Sequence, residues 1–328
     1  MKKTLFGAAL AACLSAGMVM GTFAGEMTAE EVFQNYIETS GTVEQVSSHV
    51  DAKIDAQLSV PDAQMTLGGN GSMEMDVAAV MDPLTMKAVG TMSGQMMDQG
   101  GEANMEMYMV PDEDGSLKMY VGVDMGEGME YGVSTIEPEV MEQIKGMMGN
   151  ADMFADLPIS FELADGTVEV NGTECYELVS TLGIEDIINI VNAAVEKAGD
   201  VIPEGTMPDE ETMAMVTSLL GGLKLNVEMD VDAESYLPIR LYMDMAGSDW
   251  VTLGAMIGGM MGLTNEDGSL MSISLDVNDL YLEYLYDYST PVTVEIPQEV
   301  IDSATDMGSA ADLAGSAAEM VGEVESEF

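Results

Sequence analysis

Basic side chains are scarce in this sequence. Nine Lys and Arg stand against 59 Asp and Glu in 328 residues, a formal net charge of −50. Such a surface repels phosphate backbones, which excludes nucleic acid as a partner and disfavours anionic membrane surfaces. The charge keeps a chain that is 47% hydrophobic in solution; its rival use is weak, multivalent cation binding. Histidine is rarer still, with His49 alone. One imidazole cannot build a His-rich zinc site, and it leaves a Ser-His-Asp or Cys-His arrangement a single base. His49 opens a strand pattern and reads as a surface or edge residue. Aromatics make up 5% with one Trp, so the stacking platforms of a sugar site are missing. Chance pairs of carboxylates therefore do not argue for a glycosidase. No catalytic motif is present, so the chain reads as a non-enzyme, and neither a cofactor nor a tightly held transition metal is expected.

Cysteine is nearly absent too. Cys13 falls in the leader, so Cys175 alone remains and no intramolecular disulfide can form. A reactive thiolate needs a neighbouring base or cation, and Cys175 lies between Glu174 and Tyr176. It reads as a buried, inert thiol.

The leader has Lys2-Lys3 as its charged start, an apolar run from Thr4 to Phe23, and an exit at Thr22-Phe23-Ala24. Residues 1–24 read as a signal peptide, with Gly25 first in a protein that is secreted or at the cell surface. Leu10-Ala11-Ala12-Cys13 matches a lipobox, so a lipoprotein anchored through Cys13 is the alternative, and a transmembrane anchor is a third reading.

What is abundant is alternation. Leu223 to Val231 switches between apolar and polar at every step, and Leu237 to Met245 alternates again, the pattern of strands with one dry face. Thr167–Val170 and Glu174–Ser180 flank Asn171-Gly172, a type I′ hairpin signal. Ser48–Val60, Met65–Asp76, Leu84–Met96, Asn104–Val110, Leu117–Asp124, Ser269–Asn278 and Leu280–Tyr288 read as further strands. Helices are expected from Thr28, where Glu31 completes a capping box, and over Glu137–Met148, Ile184–Ala198 and Asp209–Leu220. A last short helix follows Ile296, and the Ala/Gly/Ser/Glu-rich residues 304–328 read as a tail outside the domain at 25–303. Asp112 to Gly115 hints at calcium, but counting from Asp112 puts Gly115 fourth and Val123 twelfth, so the EF-hand pattern fails and a plain turn remains. Glu113–Leu117 recurs as Glu266–Leu270, which shared turn chemistry explains.

The fold class is thus α+β, antiparallel strands with helices inserted between them. Residues 170–178, 232–243 and 279–284, with the opening helix at 28–36, resemble the LolA–LppX type of lipoprotein carrier. That resemblance implies a curved antiparallel half-barrel, covered by helices, around an apolar ligand cavity. It implies no catalytic residues.

Methionine is the unusual residue, with 34 copies. Met73 and Met75 share one strand face, as do Met105, Met107 and Met109. Thioether binding of Cu(I) is the sharp reading, but copper sites pair Met with His or Cys. Adaptable apolar fill is the plain one, and it suits a pocket for varied apolar ligands. Trp250 to Leu263 is too apolar for a solvated loop and too short to span a bilayer. It is either a mobile cover or a helix packed permanently on the core. Leu225, Val227, Met243, Trp250, Met256 and Ile257 are therefore the expected ligand-binding residues. The expected function is secreted binding of a lipid or other apolar molecule by a monomer, with a cell-envelope protein as a further partner. A structural or adhesive protein with a filled core is the alternative.

Overall fold

In the computed structural model, residues 27–61, 65–96, 99–138, 159–198, 210–260 and 273–309 are described. The chain enters through α1 (Ala29–Ser40). Its capping box is formed: the Glu31 N–H donates to Thr28 Oγ1 at 3.2 Å, and the Thr28 N–H donates to Glu31 Oε2 at 2.9 Å. The helix buries Val32, Tyr36 and Ile37.

An antiparallel meander follows: β1 (Gln45–Val60), β2 (Met65–Met81), β3 (Leu84–Met96), β4 (Gln99–Pro111), β5 (Leu117–Asp124) and β6 (Glu130–Ile136). Between β4 and β5 the acidic turn is a tight hairpin, with Gly115 at φ +87° and the Ser116 N–H bonded to Asp114 Oδ1. That accounts for its Asp and Gly without calcium. The helix expected over Glu137–Met148 lies almost wholly outside the described residues.

A second group begins with β7 (Glu162–Leu163), β8 (Val168–Val170) and β9 (Thr173–Gly183). Asn171 and Gly172 both take positive φ, 52° and 84°, as the β8–β9 turn requires. Two helices, α2 (Ile184–Ala198) and α3 (Glu210–Leu220), precede β10 (Lys224–Asp232) and β11 (Pro238–Asp244). Then come α4 (Trp250–Met260), β12 (Ser274–Asp287), α5 (Gln298–Ser303) and β13 (Thr305–Ser309).

All strands join one 13-stranded sheet in the order β13-β6-β5-β4-β3-β2-β1-β12-β11-β10-β9-β7, with β8 on β9. The sheet is antiparallel except where β13 meets β6, and its ends do not pair with each other. This is the open half-barrel with inserted helices that the sequence implied. The seam between the two groups is β1 against β12, from Ser47↔Asp287 to Ser59↔Ser274.

The structure corrects two boundaries. The strands expected at Ser269–Asn278 and Leu280–Tyr288 are, over their described residues, one strand, β12. Its register on β1 shifts between Asp55 and Ala56, leaving Asn278 as the extra residue of a bulge. Asn278-Asp279 looks like turn chemistry, but a bulge absorbs one residue without ending the pairing. The tail expected from residue 304 begins as β13, so the sheet extends past the boundary drawn at 303.

The main core lies where α1 and α2 cover β9 to β12. Val32, Tyr36, Ile37 and Ile190 from the helices pack with Leu178, Leu182, Val227, Met229, Val231, Leu241 and Met243 from the strands. A smaller core on the opposite face gathers Tyr108 and Tyr120 under Val300 of α5. Among the described residues, no helix is long and apolar enough to cross a membrane.

Candidate ligand-binding face

Strand alternation and register assign every strand residue to one of two faces. The pairings Leu182↔Leu225, Val227↔Met243 and Met243↔Leu282 put the core residues on one face. The row continues across the seam as Leu282↔Ala52, Ala52↔Met73, Met73↔Met92 and Met92↔Ala103. One row along, Val50↔Met75↔Gly90↔Met105↔Val123 does the same. The methionine groups of β2 and β4 therefore share a single surface, continuous with the core.

On β1 to β5 and β9 to β12 this face is uncharged wherever its side chains are described, apart from the end of β9 at Glu174. In a chain of net charge −50 that segregation is strong. Its two halves differ in cover. Under α1 and α2 it is closed: Val227 is 2% exposed and Met243 7%. On β1 and β3 it opens, with Ile54 47% and Met92 46% exposed. Glycines smooth this open part, Gly71 pairing with Gly94 and Gly94 with Gly101. Tyr284 and Tyr286 of β12 and Tyr288 just past its end form a stacked ladder, centroids 6.0 and 6.3 Å apart. Burial raises the Tyr36 hydroxyl to about 12 and pushes Tyr286 and Tyr288 higher still, so all three stay neutral.

The opposite face holds the charges. Arg240 donates from Nε to Asp230 Oδ2 at 2.6 Å and from a terminal nitrogen to Glu228 at 3.0 Å, with Glu283 at 3.6 Å. Asp230 is wholly buried, and its Oδ1 has no hydrogen-bond partner among the described residues. Burial, then the Asp230 and Glu228 charges, raises the Glu177 carboxyl above the usual range. His49 is here too, 2.9 Å from Asp76. An open polar depression of about 520 Å³ lies near the β12 bulge, lined by Asp55, Gln57, Asn70, Gln95 and Asn278 among others. Among the described residues, no three His, Cys, Asp or Glu side chains gather as a metal would require.

Of the residues expected at a ligand site, Leu225, Val227 and Met243 stand together on the apolar face. Val227 and Met243 are packed solid there, whereas Leu225 is partly buried. Trp250 and Met256 belong to α4, which Asp249 caps through Thr252 (N–H to Oδ1, 3.0 Å) and which packs on the start of β12. There the position of a Gly254 Cβ would fall 2.7 Å from the Leu275 nitrogen. Ile257 is also in α4, its side chain outside the described residues. The exposed apolar residues Ile54 and Met92 were not among those expected. The period-two methionines were the available signal, but only the cross-strand register joins them to Ile54.

A family model described as "Family of unknown function (DUF6612)" matches residues 28–128. No curated protein matches. Among solved structures, lipoprotein LppX of Mycobacterium tuberculosis is similar at 10% identity and TM-score 0.32, over 80% of this chain and 94% of that one. LprF of Mycobacterium bovis is similar at 10% identity and TM-score 0.36, over 82% and 96%. A β-barrel-like DUF1849 protein of Brucella abortus is similar at 10% identity and TM-score 0.23, over 75% and 98%.

Proposed function

We propose that this chain is a non-enzymatic, extracytoplasmic binding protein that holds a lipid or other apolar molecule against the uncharged face of its sheet. One observation carries the reading. A face without described charge across most of its strands runs from a packed core into an open, methionine-lined surface, in a chain otherwise crowded with carboxylates. An exposed apolar surface of that kind marks an interaction site, and methionine makes its wall adaptable. The LolA–LppX resemblance of the sequence implies the same class of ligand.

Leu225, Val227 and Met243 form the packed end of this face. Ligand contact extends from there to Ile54, Met73, Met75, Met92 and Met105, with Trp250, Met256 and Ile257 on the helix beside β12. The test uses delipidated full-length protein titrated with Nile red. Saturable binding is expected, weakened at least about tenfold in Ile54→Asp and Met92→Glu, whose exposed positions tolerate a charge. Folded protein that binds no dye favours the structural reading. Unchanged binding in both variants moves the site off this face.

A further inference from the structure

We infer that the apolar face selects against ionised headgroups and takes an uncharged ligand, a long-chain ester or hydrocarbon rather than a fatty-acid carboxylate or a phospholipid. This rests on the reading above that the face is the ligand site.

The argument is one of missing counter-ions. A carboxylate or phosphate taken out of water needs a cation or several hydrogen-bond donors to replace its hydration. Among the described strand residues, the register puts Lys53, Lys87, Lys118, Lys224 and Arg240 on the polar face, away from the methionines. Most of them are already engaged. Lys53 holds Asp279 at 2.7 Å and Lys118 holds Asp112 at 2.6 Å. Arg240 is surrounded by Asp230, Glu228 and Glu283, and Lys87 lies over the Tyr108 ring at 5.6 Å. On the described residues of β1 to β5 and β9 to β12 the apolar face offers an anion no cation, only neutral hydroxyls: those of Ser48, Tyr176, Tyr284 and Tyr286, and that of Ser180, which already donates to the Ser160 carbonyl. A cationic head finds no carboxylate on those residues either, apart from Glu174 at the end of β9; Glu130 of β6 and Glu169 of β8 stand only at the margins of this face. The net charge of −50 adds a field that repels an approaching anion from every side. Desolvation and long-range repulsion thus act in the same direction.

The test compares ligands with the same acyl chain, one headgroup an uncharged methyl ester and the other a carboxylate. Methyl oleate and sodium oleate are each titrated against Nile red bound to delipidated full-length protein, at pH 8 and below the critical micelle concentration. Methyl oleate is expected to displace the dye at a concentration at least about tenfold lower, equivalent to about 1.4 kcal/mol. Part of the gap persists in 1 M salt, because salt screens the field but not the desolvation. Ile54→Lys, which places an ammonium on the open part of the face, narrows the gap by strengthening oleate. Oleate displacing as well as methyl oleate in the unmodified protein overturns the charge selection and leaves the apolar site standing. Nile red binding that neither compound displaces overturns the site, and this inference with it.

Discussion

Two glycines of the same sheet test how tightly its strands are drawn together. At Gly90 in β3, the place a Cβ would take is already occupied by the β2 backbone, the Glu74 carbonyl and the Met75 Cα. At Gly68 in β2, nothing lies within 4 Å of that place. The same Gly→Ala substitution then has opposite signs. Alanine stiffens the unfolded chain at either position, a gain of about 0.4–1 kcal/mol where the folded state accepts it. Gly68→Ala keeps that gain. Gly90→Ala also meets backbone atoms, which no rotamer change can move aside. Overpacking typically costs about 1–3 kcal/mol, and the upper end applies here, leaving a net loss of about 2 kcal/mol. The variants should therefore differ by about 2–3 kcal/mol in urea unfolding followed by circular dichroism, with parallel slopes. A Gly90→Ala protein as stable as Gly68→Ala would refute the register and closeness of β2 and β3, and with them the continuity of the apolar face.

Further outcomes follow from the charged groups. Arg240→Met strands the wholly buried Asp230 without its cation and should destabilise by about 3–5 kcal/mol, whereas Arg240→Met with Asp230→Asn recovers part of the loss; no recovery would mean the pair is not coupled. Hydroxyls of Thr290 and Ser289 hold Asp287 at about 2 against an ordinary 3.8. Its contribution is present above pH 4 and lost as pH falls toward 2. Asp287→Asn should flatten that part of the urea-midpoint profile, and an unchanged profile would contradict the assignment. Burial, reinforced by the Asp230 and Asp232 charges, lifts the Cys175 thiol to about 11. It should stay unreactive toward Ellman's reagent at pH 8 until the protein is unfolded; rapid native reaction would show the strand edge to be open.

Local features were readable in the sequence. The Thr28/Glu31 box, the Asn171-Gly172 turn and the alternation of residues 223–231 each depend on neighbours a few residues apart, and each forms as expected; that of 237–245 holds over Arg240–Asp244, with a register shift at Ile239 before it. The seam was not readable, because nothing local in Val50 specifies Tyr284 as its partner. The site suffered for the same reason. Val227 and Met243 could be recognised as inward-facing, but whether that end was open or filled depended on where α1 and α2 landed. Ile54, in an ordinary alternating strand, became notable only once the register set it in line with Gly71 and Gly94.

The seam also orders events during synthesis. Strands β1 to β6 pair with sequence neighbours, and so do β9 to β12, so each group can assemble as it emerges. The edge of β1 that awaits β12 has no such neighbour. About 200 residues separate the end of β1 from the start of β12. Until those residues have emerged, that edge has no partner. During this interval the nascent protein carries an unpaired strand beside its methionine face, and association between incomplete chains is the hazard to be managed. The carboxylates on the other face already repel one chain from the next before the sheet is whole.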